Sequence, residues 1–420
     1  MAVRRFAAAA APYCEFNGTG PLGLRLSGLV SFALFGTDDL TEAPKPPLKV
    51  WAVSDGRAGI EAQVVGLSEA LARLVPCEVT VKRVAWKGRT GRLPWWLNLL
   101  PKRWLTPESG IPTGKNEEWP DLWIAAGRAT LPLSIRARRW SGGKTCVVQI
   151  QDPRVPAHMF DLVIPPKHDR MVGDNIVAIT GSPHRVTPQR LAAEYEVFKD
   201  LIDPLPHPRV AVLVGGKSKA FDLSSERAAQ IAHSIQIPLE QDGGSLLMTF
   251  SRRTPDAARA LMAARLRHLP GMVWNGEGPN PYFAFLAAAD YILVTEDSTN
   301  MATEAASTGK PVFVLKLDGS SLKFRLFHEE LESLGAARPY GGAFHGWTYK
   351  PVNETDRAAR AVLEKIGVEI PAPVAEIPAV EAAPKPKRKP RAKTAEAVAE
   401  TPVETPAPKP RKPRATKPKA

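Results

Sequence analysis

Short apolar runs alternate with longer helical patterns along most of this 420-residue chain, and the alternation starts again after Asp203-Pro204-Leu205-Pro206-His207-Pro208. Apolar runs without polar alternation suit strands buried on both faces, as in parallel sheets covered by crossover helices. Before the proline-rich stretch, strands are predicted at Leu48–Val53, Val79–Val84, Leu122–Ala126, Cys146–Ile150, Leu162–Ile164 and Ile176–Ile179, with helices at Gly59–Leu74 and Pro188–Ile202. After it, strands are predicted at Arg209–Val214, Ser245–Phe250, Met272–Trp274, Tyr291–Val294 and Val312–Leu315. Helices are expected at Ser224–Ile235 and Pro255–Arg267, and a last one at Glu354–Ile366. The expected class is α/β, with two Rossmann-like, doubly wound domains whose ligands sit at the carboxyl ends of the strands. Residues 48–203 form the first domain, 204–208 the linker, 209–350 the second domain and 351–368 a closing helix.

Both ends read differently from the middle. Residues 1–47 lack acids before Glu15 and end in Ala43-Pro44-Lys45-Pro46-Pro47. A targeting segment is one reading, but the apolar stretch Gly28–Gly36 is short and weak and no clear cleavage site follows it, so a disordered or mis-started extension is the favoured expectation. Residues 369–420 are rich in Lys, Pro and Ala and lack the apolar surface to offset ordering entropy. Of the formal charge of +13, a net of +9 falls between Pro384 and Ala420, where twelve Lys and Arg face three Glu. Nucleic acid binding is thus expected only through this tail. Cys14, Cys77 and Cys146 are too few for a disulfide framework or a zinc site, which suits a reducing compartment. No run approaches the length of a spanning helix, so a cytoplasmic protein, peripheral on the inner membrane, is expected.

Three nucleotide motifs fail on context. Gly18-Thr19-Gly20-Pro21-Leu22-Gly23 has the dinucleotide spacing but neither follows a strand nor opens a helix. Gly216-Lys217-Ser218 and Gly143-Lys144-Thr145 end like P-loops, yet the earlier glycine is replaced by Ala211 and Arg138. The chain contains no Asp-x-Asp pair, so a magnesium clamp for a diphosphate is not expected and no metal is assigned.

The segment Tyr291 to Pro311 survives this test. A buried strand runs into Thr295-Glu296-Asp297-Ser298-Thr299-Asn300, where a helix of small residues begins. Free N–H groups at such a helix start, beside Ser298, Thr299 and Asn300, can hold a diphosphate without metal, and Glu304 projects a carboxylate suited to ribose hydroxyls. The plainer reading makes Ser298 or Thr299 a helix cap and Glu304 its capping partner. Gly215, Gly216 and Ser218, then Ser251 and Arg252, follow the first two strands of the same domain, and Asn275 opens a polar loop after the third. Hydroxyls and cations gathered at one sheet edge point to phosphate binding.

In the first domain, Asp55, Gly56, Arg57 and Gly59 lie in the turn after the first strand, and Gly127 and Arg128 follow a later one. Asp152, His184 and Arg185 close two further strands. Asp55 and Asp152 are candidate catalytic bases and His184 an alternative; equally, the aspartates serve turns and His184 lies on the surface. Between Trp86 and Leu105, Trp95, Trp96 and Trp104 stand among Lys102, Arg103 and other cations with no acid. Such a mixture suits anionic lipid headgroups, and it also suits a packed excursion with solvated charges.

Together, Ser54-Asp55-Gly56-Arg57-x-Gly59, Gln151-Asp152-Pro153-Arg154, Thr180-Gly181-Ser182-Pro183-His184-Arg185, Gly215-Gly216 and Thr295–Ser298 through Gly309-Lys310-Pro311 resemble the elongated-mitochondria family. That family takes its name from plant mitochondrial fission, and its bacterial members are treated as glycosyltransferases. The second domain also looks like the nucleotide-binding half of GT-B transferases acting on envelope lipids, in which a helix glutamate binds the ribose; Glu304 falls at that place. In the first domain, a Ser-Asp-Gly-Arg turn replaces the glycine- and histidine-rich loop of peptidoglycan transferases. The resemblance implies a GT-B-like fold and a nucleotide-sugar substrate with no further cofactor. It implies transfer to an envelope glycolipid or saccharide or, alternatively, a non-catalytic membrane adaptor.

Overall fold

In the computed structural model, residues 46–370 are described apart from 89, 91, 92, 94–100 and 112–117. Residues 1–45 and 371–420 of the expected tails, together with Trp95 and Trp96, lie outside the described residues, whereas Ile370, expected in the second tail, packs against the first half's core.

The first half runs β1 (Leu48–Ser54), α1 (Ala58–Leu74), β2 (Cys77–Arg83), α2 (Pro101–Trp104), β3 (Leu122–Ala126), α3 (Leu131–Trp140), β4 (Cys146–Ile150) and β5 (Leu162–Ile164). Its five strands are parallel in the order β2-β1-β3-β4-β5. Alternate residues serve opposite faces: Val50 and Ala52 pack with Leu67 and Leu71 of α1, while Val53 packs with Trp123 and with Leu133 of α3. Trp123 has no exposed surface, and its indole N–H donates to Ser134 Oγ at 3.0 Å. The strand expected at Ile176–Ile179 is reduced to two isolated parallel bridges, Val163 to Ile176 and Pro166 to Ile179. Pro165 and Pro166 follow β5 directly, and without N–H groups they cannot extend the ladder.

The second half runs α4 (Pro188–Ile202), β6 (Arg209–Val214), β7 (Phe221–Asp222), α5 (Ser225–Asp242), β8 (Ser245–Phe250), α6 (Asp256–Leu266) and β9 (Gly271–Val273). It continues α7 (Tyr282–Ala288), β10 (Tyr291–Thr295), α8 (Thr299–Ala306), β11 (Val312–Leu315), β12 (Asp318–Gly319), α9 (Leu322–Ser333), β13 (Ala337–Pro339) and α10 (Glu354–Lys365). Six parallel strands lie in the order β13-β11-β10-β6-β8-β9, and β7 and β12 form a separate antiparallel ribbon. Along β6, Val210, Val212 and Val214 face α5 and α6, while Ala211 and Leu213 face α7 and α8. The α/β class and the two Rossmann-like sheets expected from the alternation are both present.

Helix α4, read from sequence as the end of the first domain, packs on α7 and gives Phe198 and Ile202 to the second half's core. The proline-rich stretch after it is pinned to β6, because the Arg209 guanidinium donates to the carbonyls of Asp203 and Leu205 at 3.0 and 3.1 Å. Helix α10 returns to the first half, burying Ala358, Ala359, Val362 and Leu363 with the apolar face of α1. Helix α5 was expected to stop at Ile235, yet it continues through Pro238. A proline here leaves the Ser234 carbonyl without its helical donor. The Tyr340 hydroxyl supplies one at 2.9 Å, from 106 residues away.

Candidate functional site

In the second sheet, counted in chain order, the strands lie 3-2-1-4-5-6 with the short β7 and β12 set aside, and the direction of winding reverses between β6 and β10. Ligands of doubly wound sheets bind outside the carboxyl ends of the strands at such a reversal. β6 ends there in Gly215-Gly216, and β10 ends in Thr295 and leads through Glu296, Asp297 and Ser298 into α8. Thr295 Oγ1 accepts from the Gly215 N–H and donates to Asp297 Oδ1, both at 2.7 Å. Asp297 Oδ2 accepts from the Gly216 N–H at 3.0 Å and pairs with Arg253 at 2.7 Å, so this wholly buried carboxylate ties both strand ends to the loop after β8. A Cβ at Gly215 would stand 2.1 Å from Asp297 Oδ1, so only glycine allows the approach.

Ser298 caps α8, its Oγ accepting the Met301 N–H at 3.3 Å. Among the described residues, no acceptor meets the N–H groups of Thr299 and Asn300. The Asn300 side chain faces the first half. Its Oδ1 accepts from Gln63 Nε2 at 2.8 Å and Ser182 Oγ at 3.0 Å, and its Nδ2 donates to the Gly59 carbonyl at 2.7 Å. Gln151 Nε2 extends the network to Gln63 Oε1 at 2.9 Å. Asn300 therefore joins the halves through its side chain, while its backbone N–H stays without an acceptor among the described residues.

Glu304, five residues into α8, does not reach back to the cap. It is 8 % exposed, and its Oε2 accepts from the Tyr282 hydroxyl at 2.5 Å. Burial pushes its carboxyl from 4.5 up to about 7, against the opposing pull of that hydroxyl and of Arg185. A raised acid favours the folded state fully below pH 4.5, and this advantage is lost as pH rises through about 7. Glu304→Gln is therefore expected to stabilise the protein by on the order of 3 kcal/mol at pH 8 and to have little effect at pH 4. Thermal melts across that range check this, and a pH-independent difference would count against it.

The first sheet has its own reversal between β1 and β3, where Asp55 to Gly59 and Gly127-Arg128 come together. Asp55 pairs with Arg57 at 2.7 Å, and a Cβ on Gly127 would stand 3.8 Å from Asp55 Oδ2. Asp152 closes a turn, its Oδ1 accepting from the Arg154 N–H at 2.8 Å. His184 fits neither the surface reading nor a base in the cleft. It is 3 % exposed, its backbone N–H donates to Thr355 Oγ1 at 3.1 Å, its ring Nδ1 accepts from the Val186 N–H at 3.2 Å, and burial pushes the imidazole down to about 4. Arg185 grips both oxygens of Glu69.

The remaining loops serve themselves first. Ser218 Oγ accepts from the N–H groups of Ala220 and Phe221, and Ser251 Oγ from that of Arg253; Arg252 is exposed. Asn275 caps its own turn through Glu277 N–H at 3.0 Å and lines a groove of about 500 Å³ between α6 and β9, two strands away from the reversal. Trp104 is 39 % exposed beside exposed Arg103, while Trp86 is anchored by its indole N–H on the Ala129 carbonyl at 3.1 Å. The side chain of Lys102 is not described. Gln63, Arg253, Tyr282 and Asp297 were missed as partners in this site. Asp297 lies in the polar run Thr295–Asn300 and Arg253 in the cationic loop after β8, so both carried a signal, as did Gln63, a polar residue on the core-facing side of α1.

The family model described as mitochondrial fission ELM1 matches residues 58–366. The chain belongs to that family. Mitochondrial fission protein ELM1 of Arabidopsis thaliana is 30% identical over 277 residues, covering 60% of this chain and 65% of the plant protein. The chain thus spans just under two thirds of that relative. An uncharacterized protein of Rickettsia prowazekii is 27% identical over 285 residues, 58% of this chain and 79% of its own. Among solved structures, the UDP-GlcNAc 2-epimerase of Neisseria meningitidis bound to UDP-GlcNAc aligns with 76% of this chain and 99% of its own, at 16% identity and a TM-score of 0.43. Acinetobacter baumannii MurG aligns with 76% and 90%, at 15% identity and a TM-score of 0.38. Among the described residues, no helix of this ELM1-family protein is long and apolar enough to cross a membrane.

Proposed function

We propose that this ELM1-family protein is a GT-B-type glycosyltransferase, working without metal at the cytoplasmic face of the inner membrane. It moves a sugar from a nucleoside diphosphate to an envelope glycolipid or saccharide. The observation that carries this reading is the start of α8, where two N–H groups without acceptors among the described residues lie at the sheet reversal, with a buried carboxylate five residues further along. N–H groups at a helix start favour a departing diphosphate, and a carboxylate accepts both hydroxyls of a ribose. In this reading Ser298, Thr299 and the backbone of Asn300 hold the diphosphate and Glu304 the ribose. Asp55, at the reversal of the other sheet, is the base the topology favours over Asp152. It takes the acceptor hydroxyl's proton as that oxygen bonds to the anomeric carbon and the bond from this carbon to the diphosphate breaks. In this reading Trp104 and Arg103, both exposed, are the residues that meet anionic lipid headgroups.

Calorimetric titration of the full chain with UDP, GDP, CMP and ADP tests the reading. One of them is expected to bind, with affinity falling at least about tenfold in Glu304→Ala. Absence of binding by all four sinks it. A non-catalytic adaptor that keeps the fold is the second reading, favoured by the fission role in the family's name. It predicts nucleotide binding at most, with no sugar transferred.

A further inference from the structure

We infer that Tyr282 is an occluding, specificity-setting residue of the nucleotide site: its hydroxyl holds the place on Glu304 that a ribose hydroxyl takes, so a nucleoside enters only by displacing it. The inference rests on the ribose role given to Glu304 above and deepens it.

Glu304 sits among the buried Ala302, Thr303, Ala305 and Ala306 of α8. A buried carboxylate is a costly choice for filling space, since an apolar side chain of similar size would pack there without desolvating a charge. Two other buried carboxylates of this half are each met by more than one donor. Asp297 has a hydroxyl, an N–H and a guanidinium, and Glu296 has the Leu317 N–H at 2.7 Å and Lys316 at 3.0 Å. Among the described residues, the Tyr282 hydroxyl is the only hydrogen-bond donor to Glu304. One neutral O–H on a carboxylate with a second oxygen to spare is chemically what one ribose hydroxyl of a bound nucleoside would present.

The placement of Tyr282 also suits displacement. It is the first residue of α7, directly after residues 274–281, a loop that includes Gly276, Gly278, Pro279 and Pro281 and is exposed from Asn275 to Asn280. Its neighbour Phe283 is held separately, under the Arg190 guanidinium at 4.7 Å from the ring centroid. The Tyr282 ring meets Phe283 edge-on at 5.4 Å and lies partly buried against the second half's core, so displacement turns this one ring out of its packing while Phe283 keeps α7 anchored.

The test uses the full chain as wild type, Tyr282→Phe and Glu304→Gln, titrated calorimetrically with UDP, GDP, CMP, ADP and inorganic pyrophosphate. The 2′-deoxy form of whichever nucleotide binds is then added to the series. Tyr282→Phe is expected to bind that nucleotide about tenfold more tightly than wild type, because no hydroxyl competes for Glu304, with pyrophosphate affinity unchanged. Glu304→Gln is expected to lose most of the preference for the ribose form. If the nucleotide binds wild type but Tyr282→Phe binds it equally or more weakly, Tyr282 does not occlude the site, and this inference alone falls. If no nucleotide binds any variant, the nucleotide reading falls and the inference with it. Tyr282→Leu, which removes the ring altogether, should bind at least as tightly as Tyr282→Phe; looser binding by a variant whose melting temperature is unchanged likewise overturns the inference.

Discussion

Asp297→Ala is expected to cost the folded protein about 3 kcal/mol, a large share of the stability of an ordinary domain. The side chain has no exposed surface and serves three donors, the hydroxyl of Thr295 at the end of β10, the Gly216 N–H after β6 and the Arg253 guanidinium after β8. Alanine leaves the Gly216 N–H buried without an acceptor and opens a void beside Gly215, whose missing Cβ existed to admit the carboxylate. Removing one partner of a buried ion pair costs about 3 to 5 kcal/mol, and the lower end applies because Arg253 is 41 % exposed and can turn to water. Urea unfolding should show a lower midpoint at unchanged slope. A loss below about 1 kcal/mol would mean that the strand ends are held by something else.

Gly181→Ala is expected to destabilise by a similar amount and to separate the halves locally. Gly181 has φ of 72° and faces α8 so closely that a Cβ would lie 2.0 Å from Thr303 Oγ1 and 2.9 Å from both Thr303 carbons. Turning the threonine brings its methyl group into the same space, so α8 must shift. The left-handed backbone adds roughly 1 kcal/mol for any residue with a Cβ, and the overlap adds about 1 to 3 more. The hydrogen bonds of Asn300 to Gly59, Gln63 and Ser182, one turn earlier on α8, stretch with it. Hydrogen exchange should quicken in α8 and at the start of α1. Adding Thr303→Ala should recover more than half of the loss, and failure to do so would show that this contact is not the cause.

Much of the architecture was legible in the chain itself. β3, β4, β6 and β10 read as apolar runs because parallel strands buried on both faces have no polar side to show. The turn Ser54-Asp55-Gly56-Arg57 and the run Thr295–Asn300 were visible as polar residues breaking out of such strands. What those polar residues touch was not visible. Glu304 meets Tyr282 from another helix, and Asn300 meets Gly59 and Gln63 from 241 and 237 residues away. His184 reads in sequence as an ordinary loop histidine, and only the closing of the chain around it, with Thr355 donated by the end segment, makes it buried and neutral.

By itself the sequence determined the α/β class, the two rounds of strand and helix, and the place along the chain where each polar loop follows its strand. These depend on periodicity and on turn residues, which act over a few neighbours. The tertiary structure decided the order of the strands, and with it which loops meet at the reversals. It also decided that α4 joins the second half, that α5 passes through Pro238, and which donor each buried carboxylate receives. Those outcomes depend on groups tens to hundreds of residues apart, and a buried polar atom takes whichever partner the packed chain brings within about 3 Å, because leaving it unpaired costs more than any local preference supplies.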